Sequence, residues 1–508
     1  MKHTLLYIAL LSVSSLLSSC NDFLDITPND KQTAQQLYAT KSGFYTAANG
    51  IYDGLSSDAL YGKQITWEAV DVMSKRYSTS KTATYYAKLS QNDYSSTYVS
   101  PVLSSIWQKA YELILASNIL MSEVDRQQGI LTEREANLMK GEMLAVRAYL
   151  HLDMLRLFGP DPNGDHALPG VPYNASDTVT TLPRLTFSQD IERIIADLDR
   201  AEALMKNDPV IDNGPMASLV DGESVQLRYR QFRFNYYAVI ALKARAYMWA
   251  GDKANALKEA KRVLEDTNVA KWFPAVDPNK LLANTTNPDR VFSSEVLFGV
   301  YDKDRDKVYT ENFSPEASES RRLMPYSTYV NGGQISLFSH LLFGAETQDY
   351  RFQSQWEQAS TTGMSGYVFT KYKPISRPDE TDEDSEYFYS RMIPLLKLSE
   401  LYLIATECEP EKADGLKWYN AERMSRGCTE FPEAYAELID SYFGGWPMLL
   451  SQEYMREFWG EGQIFFWLKR TVISPGYPSG TVSPYDNGSE MAVGQLNIQP
   501  PLPEGEMK

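Results

Sequence analysis

"ALKARAYMWAGDKANALKEAKRVLE", Ala241 to Glu265, reads as two helical runs that turn at Gly251-Asp252. Apolar residues recur at three- and four-residue spacing on both sides of the turn, the period of an amphipathic helix. Small Ala244, aromatic Tyr247 and small Ala256 fall where paired antiparallel helices need a close approach, a bulky plug and a second close approach. The stretch predicts a helical hairpin with arms at Gln231 to Ala250 and Asp252 to Leu264. One such hairpin cannot bury its apolar face alone, so the chain must stack several.

This small, aromatic, small order is that of a tetratricopeptide hairpin. Ser104 to Val124 and Thr132 to Phe158 read as two long helices, the second stopped by Gly159-Pro160. Ser188 to Met205 follows at helical spacing, and Leu395 to Cys408 with Lys412 to Arg426 repeats the hairpin arrangement. A helix near Thr33 to Gly54 pairs with Ser104 to Val124. The fold class is therefore mostly α, about four degenerate helical pairs forming a scaffold. On a wheel of about 100° per residue, Glu142, Asp153 and Arg156 share one narrow strip while Arg147 and His151 lie roughly opposite. Both flanks are apolar, so neighbours pack this helix on two sides. Its Arg147 and His151 are expected to be satisfied by a carboxylate of the adjacent helix. Two long regions break the pattern, 60–100 and 271–393, rich in Tyr, Ser, Thr, Asn and Gly. Loops of that length are usually functional. One domain, 33–508, holds scaffold and insertions together.

The N-terminus carries a different signal. Lys2 precedes an apolar run from Leu5 to Leu17, and small Ser18 and Ser19 stand before Cys20. Residues 1–19 read as a lipoprotein signal peptide, Cys20 as the lipidated residue, and 20–32 as an acidic, polar tether. No later stretch is long and apolar enough to cross a bilayer, so the expectation is a chain anchored to a membrane and not embedded in it. The composition is globular, 43% hydrophobic and 23% charged, with a formal net charge of −17. That charge repels phosphodiester backbones, and no basic run offsets it, so nucleic acid is not an expected partner. The 33 Tyr and 9 Trp suit neutral ligands, because an amphipathic ring can stack while its edge makes hydrogen bonds. Besides Cys20 only Cys408 and Cys428 remain; a bridge between them is chemically open in an exported protein, but no disulfide framework exists.

Motifs for catalysis are missing. The chain has 4 His, none paired at zinc-ligand spacing, and neither a GxSxG elbow nor a phosphate-cradling Gly-Lys-Ser/Thr loop. Asp161-Pro162-Asn163-Gly164-Asp165 begins like a calcium loop, but His166 stands in place of the required Gly and Pro172 in place of the bidentate Glu, so it reads as a turn. The acidic run Asp379 to Glu386 reads as a solvated loop. No catalytic residue, metal site or cofactor is assigned. A carboxylate pair of glycosidase type stays open, since 66 acidic residues always supply some pair at the right separation.

"MLAVRAYLHLDMLRLFGPDP", Met143 to Pro162, resembles the signature helix of the RagB/SusD family of Bacteroidetes outer-membrane lipoproteins. "LLKLSELYLIATE", Leu395 to Glu407, resembles its penultimate repeat, and "EYMREFWGEGQIFFWLKR", Glu453 to Arg470, its C-terminal block, with Ile464 where an Arg is common and Trp467 where an Asp is common. The start "CNDFLDITP" and the close "QPPLPEGE" are similar to the family's ends. The resemblance implies four tetratricopeptide-like units on one side and an irregular ligand-binding side opposite. It also implies a surface-exposed lipoprotein that binds oligosaccharide and acts as a lid over a SusC-like TonB-dependent transporter. A peptide-binding lid of the same fold, a secreted glycosidase on a helical scaffold and a pure interaction scaffold are the other readings.

Tyr61 to Tyr98 holds seven aromatics, Tyr61, Trp67, Tyr77, Tyr85, Tyr86, Tyr94 and Tyr98, but Leu and Ile only at Leu89 and Ile65. Rings alternating with Ser, Thr, Lys, Asn and Gln have the composition of an adaptable binding surface. Trp67, Arg76, Tyr77, Tyr85, Tyr86 and Trp356 are the predicted ligand contacts, the resemblance placing the 60–100 segment and parts of 271–393 on the ligand face. For Trp67, packing beneath the loop is an equal alternative.

Overall fold

The helix that organises the molecule begins with a capping box. Thr132 Oγ1 accepts from the Glu135 N–H (3.3 Å) and Glu135 Oε2 accepts from the Thr132 N–H (3.0 Å), which satisfies two of the donors that every helix start exposes. The computed structural model describes residues 36–506 except 79–83, 219, 285, 326, 331–332, 337–341, 362–363, 377–386, 443–444, 472–484, 487–488 and 491–497. The signal peptide, Cys20, the tether and the acidic run Asp379 to Glu386 lie outside the described residues.

Numbered along the chain, the scaffold helices are α1 (Lys41–Leu55), α2 (Ser100–Arg126), α3 (Glu133–Phe158), α4 (Phe187–Leu204), α5 (Tyr236–Trp249), α6 (Lys253–Leu264), α7 (Leu398–Cys408), α8 (Lys412–Ser425), α9 (Trp446–Glu457) and α10 (Gln463–Thr471). The first eight pack as four successive pairs, and each pair also touches the next through α2 with α3, α4 with α5 and α6 with α7. Ala244 and Ala256 are wholly buried at the α5–α6 crossing, and Gly251 turns the hairpin at φ +77°.

Every residue of α3 from Met143 to Phe158 is buried, so this helix is enclosed by neighbours on all sides, more than its two apolar flanks implied. Its polar strips are consumed internally. Arg147 makes a bidentate pair with Asp197 of α4 (2.6 and 2.6 Å), the carboxylate of the adjacent helix that its position called for. His151 is held by backbone instead: Nδ1 donates to the Arg147 carbonyl (2.8 Å), Nε2 accepts from the Asn174 N–H (3.0 Å), and the ring stacks on Tyr173 at 4.0 Å. Burial holds this imidazole down at about 3, so it folds neutral. Because the unfolded imidazole binds its proton below its ordinary value near 6.5, stability falls with acidification, by about 2 kcal/mol between pH 6.5 and 5. In His151→Gln the slope of melting temperature against pH flattens in that window; an unchanged slope would assign it to other groups.

The family-like C-terminal block closes the scaffold. Lys469 Nζ donates to the carbonyls of Leu157 (3.1 Å) and Gly159 (2.8 Å), capping the end of α3, and Arg470 makes a bidentate pair with Glu407 of α7 (2.8 and 2.7 Å). The two departures are absorbed by packing: Ile464 is buried, and Trp467 stacks on Tyr454 at 4.1 Å and donates to Ser451 Oγ (3.0 Å). Cys408 and Cys428 are free thiols, Cys408 against Met248 Sδ at 3.4 Å and Cys428 beside Asp349, so no bridge joins them.

The insertion 271–393 is more regular than its composition suggested. Strands β1 (Val296–Tyr301) and β4 (Met392–Lys397) pair antiparallel, and β2 (Trp356–Thr361) forms a hairpin with β3 (Met364–Phe369). "VLFGV" and "MIPLLK" are short continuous apolar runs, the pattern of a strand buried on both faces. Among the described residues no helix is long and apolar enough to cross a membrane.

Candidate functional site

The six residues predicted to contact ligand do converge, but in the core and not on a surface. Trp67, Arg76, Tyr77, Tyr86 and Trp356 are 2–5% exposed, and only Tyr85 is half-buried. Tyr77 and Trp356 both lie 5.2 Å from the Trp459 ring, and Trp67 and Tyr77 stand 6.1 and 6.2 Å from Phe313, so the two insertions interlock through aromatic edges. Their polar ends are satisfied inside: Trp67 Nε1 donates to the Gly62 carbonyl (2.9 Å), Tyr77 to Asp71 (2.5 Å) and Tyr86 to Glu68 (2.9 Å). Burial raises the Asp71 carboxyl to about 7 against the hydrogen bonds from Tyr77 and Gly460 that lower it. The scarcity of Leu and Ile in 60–100 marks an aromatic core whose hydroxyls meet buried carboxylates; it does not mark a binding surface.

An open concavity lies elsewhere on the insertion. A cleft of ≈ 700 Å³ is bounded by residues 215–218 and 220, Trp272 at the end of the short helix Thr267–Trp272, residues 274–277, 280, 284, 289 and 293–294, and residues 387–389, within the size range of small-molecule sites. Its walls mix rings with amides and hydroxyls: Trp272, Phe388, Asn213, Asn284, Ser293 and Ser294. Trp272 Nε1 and Ser294 Oγ have no hydrogen-bond partner among the described residues, and Lys271 Nζ covers the Trp272 ring at 3.9 Å. The floor is rigid. Gln231 Nε2 donates to the carbonyls of Ser293 (2.7 Å) and Val296 (2.8 Å), and Asp289 accepts from the Ser293 N–H and hydroxyl (3.0 and 2.7 Å). Burial lifts Asp289 to about 6 despite those donors.

A ridge of Tyr229, Phe232 and Phe388 bounds this cleft, Phe388 standing 6.3 Å from Tyr229 and 6.1 Å from Phe232. Beyond it lies a second cleft of ≈ 470 Å³, lined by Asn49, Tyr52, Gln226, Arg233 and the half-exposed Tyr301. Arg230, wholly buried, fastens the ridge loop to the scaffold through Asp208 (3.0 and 2.8 Å) and Glu142 of α3 (2.6 Å). Met216, Tyr229 and Phe292 hold left-handed backbone at φ +54 to +56° around these clefts, a strain that for bulky residues marks sites with a constraint beyond folding. None of this was read from the sequence. Trp272 sits at the edge of a recognised insertion, but single rings and amides far apart in the chain give no periodic signal.

Comparison with known proteins sharpens the picture. Residues 22–215 match a SusD-like family model described as starch-binding associating with outer membrane. A SusD-like protein of Formosa agariphila is 20% identical over 293 residues, 56% of this chain, and the match spans 49% of that relative's length. A SusD superfamily structure from Bacteroides thetaiotaomicron superposes with TM-score 0.64 at 19% identity, covering 92% of this chain and 98% of the other. Surface glycan-binding protein A from the same organism superposes with TM-score 0.59 at 16% identity, covering 93% and 97%. These likenesses establish a SusD-like fold, and the N-terminal residues 22–215 are similar to the SusD-like family.

Proposed function

We propose that this protein binds oligosaccharide at the cell surface, held by lipid on Cys20, and delivers it as a lid to a SusC-like TonB-dependent transporter. The family description and the glycan-binding neighbour support the ligand class; the transporter partnership and the anchor rest on the resemblance of the N-terminus and repeats. The observation that carries the reading is the pair of clefts on either side of the Tyr229, Phe232 and Phe388 ridge, with Trp272 Nε1 and Ser294 Oγ lacking partners at one of them. Half-buried rings offer faces for stacking, and the unpaired Trp272 indole and Ser294 hydroxyl suit the hydroxyls of a neutral sugar. Of the earlier candidates Tyr85, at its contact with Gln64 (3.1 Å), keeps an accessible edge for a second contact.

Calorimetry against plant, host and microbial glycans tests this. With a ligand in hand, Phe388→Ala weakens binding by about 1–3 kcal/mol, as truncation of a central ring does, with an unchanged melting temperature. Unaltered affinity in both Phe388→Ala and Trp272→Ala moves the ligand away from this cleft, binding of peptides alone favours the peptide-binding lid, and release of shortened product favours a glycosidase.

A further inference from the structure

Between α3, α5, α7, α9 and α10 lies a small space of ≈ 30 Å³, which shares no lining residue with either cleft and is lined by Arg156, Arg245, Trp249, Glu400, Tyr454 and Gln463 among others. Most polar atoms there are committed. Arg156 donates through Nη1 to Asp153 (2.9 Å) and through Nη2 to Gln463 Oε1 (2.8 Å). Arg245 donates through Nε and Nη2 to Glu400 (2.7 and 2.6 Å), and through Nη2 to the Leu395 carbonyl (2.7 Å). One nitrogen donor is left over on each of three side chains: Arg156 Nε, Arg245 Nη1 and Trp249 Nε1 have no hydrogen-bond partner among the described residues. These side chains are only 5%, 3% and 3% exposed. Arg156 stands 5.5 Å from the Trp249 ring centroid, and all three side chains line this one space. The Tyr149 hydroxyl adjoins Arg245 without closing a hydrogen bond of ordinary length.

Buried N–H groups are almost always paired, and an orphan on a cation is among the costliest. The leftover atoms are all donors, and two belong to guanidinium groups that repel each other; burial and then the nearby Arg245 both weigh against the Arg156 charge. A water molecule has two lone pairs for three such N–H groups, whereas a single negative atom accepts from all of them and offsets the repulsion. The volume admits one or two water-sized atoms, too little for a sulfate or a sugar carboxylate. We infer that this cavity binds one small monatomic anion of the chloride class, held by Arg156 Nε, Arg245 Nη1 and Trp249 Nε1. The ion ties α3 and α5 to the C-terminal helices where the scaffold closes. It is independent of the glycan reading.

Crystals grown in bromide test it directly, with an anomalous peak expected within hydrogen-bond distance of the three nitrogens. In solution at constant ionic strength, the melting temperature rises by roughly 2 °C per tenfold chloride against gluconate once the site's Kd is exceeded. Trp249→Phe keeps the ring and deletes one donor, so it folds with a smaller chloride increment. No bromide peak in the cavity, or a melting temperature that follows ionic strength equally in chloride and gluconate, overturns the assignment.

Discussion

Arg426→Ala lowers stability by about 3–5 kcal/mol, the loss typical of breaking a fully buried ion network from one side. Arg426 is wholly buried at the end of α8. Its Nη1 donates to Glu295 (2.8 Å), and Nε and Nη2 reach Glu457 of α9 (3.0 and 3.0 Å), with Glu422 at 3.1 Å. Glu457 in turn binds Lys397 (2.9 Å) and Arg351 (3.0 Å), and Glu461 binds Lys371 (2.5 Å) and Lys397 (2.9 Å). Burial alone would raise the Glu457 carboxyl, yet Arg426, Lys397 and Arg351 hold it far below the usual range. It therefore contributes stability above its unfolded pKa that is lost as pH falls through the folded one. Removing Arg426 takes the buried cation away from Glu295 and Glu422 and leaves Glu457 with Lys397 and Arg351 only. Glu457 loses one of the three cations that hold its carboxyl down, so the deficit is greatest near neutral pH and shrinks as acid protonates the carboxylates left short of a cation. Denaturant melts at pH 7.5 and 5.5 check both points. A loss under 1 kcal/mol, or a deficit independent of pH, would mean that the network is not coupled as its geometry states.

That network explains why some parts of this chain could be read from sequence and others not. The Glu453 to Arg470 block is recognisable because it serves as a structural lock: Glu457 and Glu461 contact four buried cations, Lys469 caps α3, and Arg470 pairs across to α7. The helices were equally legible, since the 3.6-residue period and a capping residue such as Thr132 are local signals, although the cap at Thr186 escapes that reading, which starts α4 at Ser188. Partners of the buried charges were not legible, because Glu295 and Arg426 lie 131 positions apart and nothing local marks either.

The misplaced ligand face has a specific cause. Tyr and Trp have one apolar body and one polar end, so composition alone cannot distinguish a wet stacking platform from a core whose hydroxyls find carboxylates. In 60–100 the carboxylates Glu68 and Asp71 were present in the sequence, and they decide the matter: each accepts from a buried tyrosine. The clefts beside Trp272 and Phe388 depend on loop 214–231, where left-handed Met216 and Tyr229 set the path. Residues of those types seldom adopt that conformation, so sequence reasoning had no reason to place a turn there.

Gly462→Ala tests how the aromatic core of the insertions is clamped to the scaffold, and a loss of about 2–5 kcal/mol is expected. Gly462 holds φ +73°, and a Cβ there would sit 1.9 Å from the Ile65 carbonyl oxygen. Two penalties combine. The left-handed backbone costs a residue with a side chain about 1–2 kcal/mol, and a methyl forced against a fixed backbone atom adds strain of about 1–3 kcal/mol. The carbonyl cannot swing aside freely, because the Ile65 turn is tied by the Ile65 N–H to the Leu60 carbonyl (2.9 Å) and by Thr66 Oγ1 to the Tyr61 carbonyl (2.9 Å). Two residues earlier the Gly460 N–H donates to Asp71 (3.1 Å) and its carbonyl accepts from Tyr372 (3.0 Å), fixing the other side of the contact. Gly251→Ala is the internal control, since Gly251 has φ +77° and no atom within 4 Å of a built Cβ. It incurs the left-handed penalty alone, about 1–2 kcal/mol. Urea melts of the two variants therefore separate backbone strain from close approach. Equal losses would show that the Gly462 contact relaxes without cost, and the 60–100 segment would then be held by its aromatic packing alone.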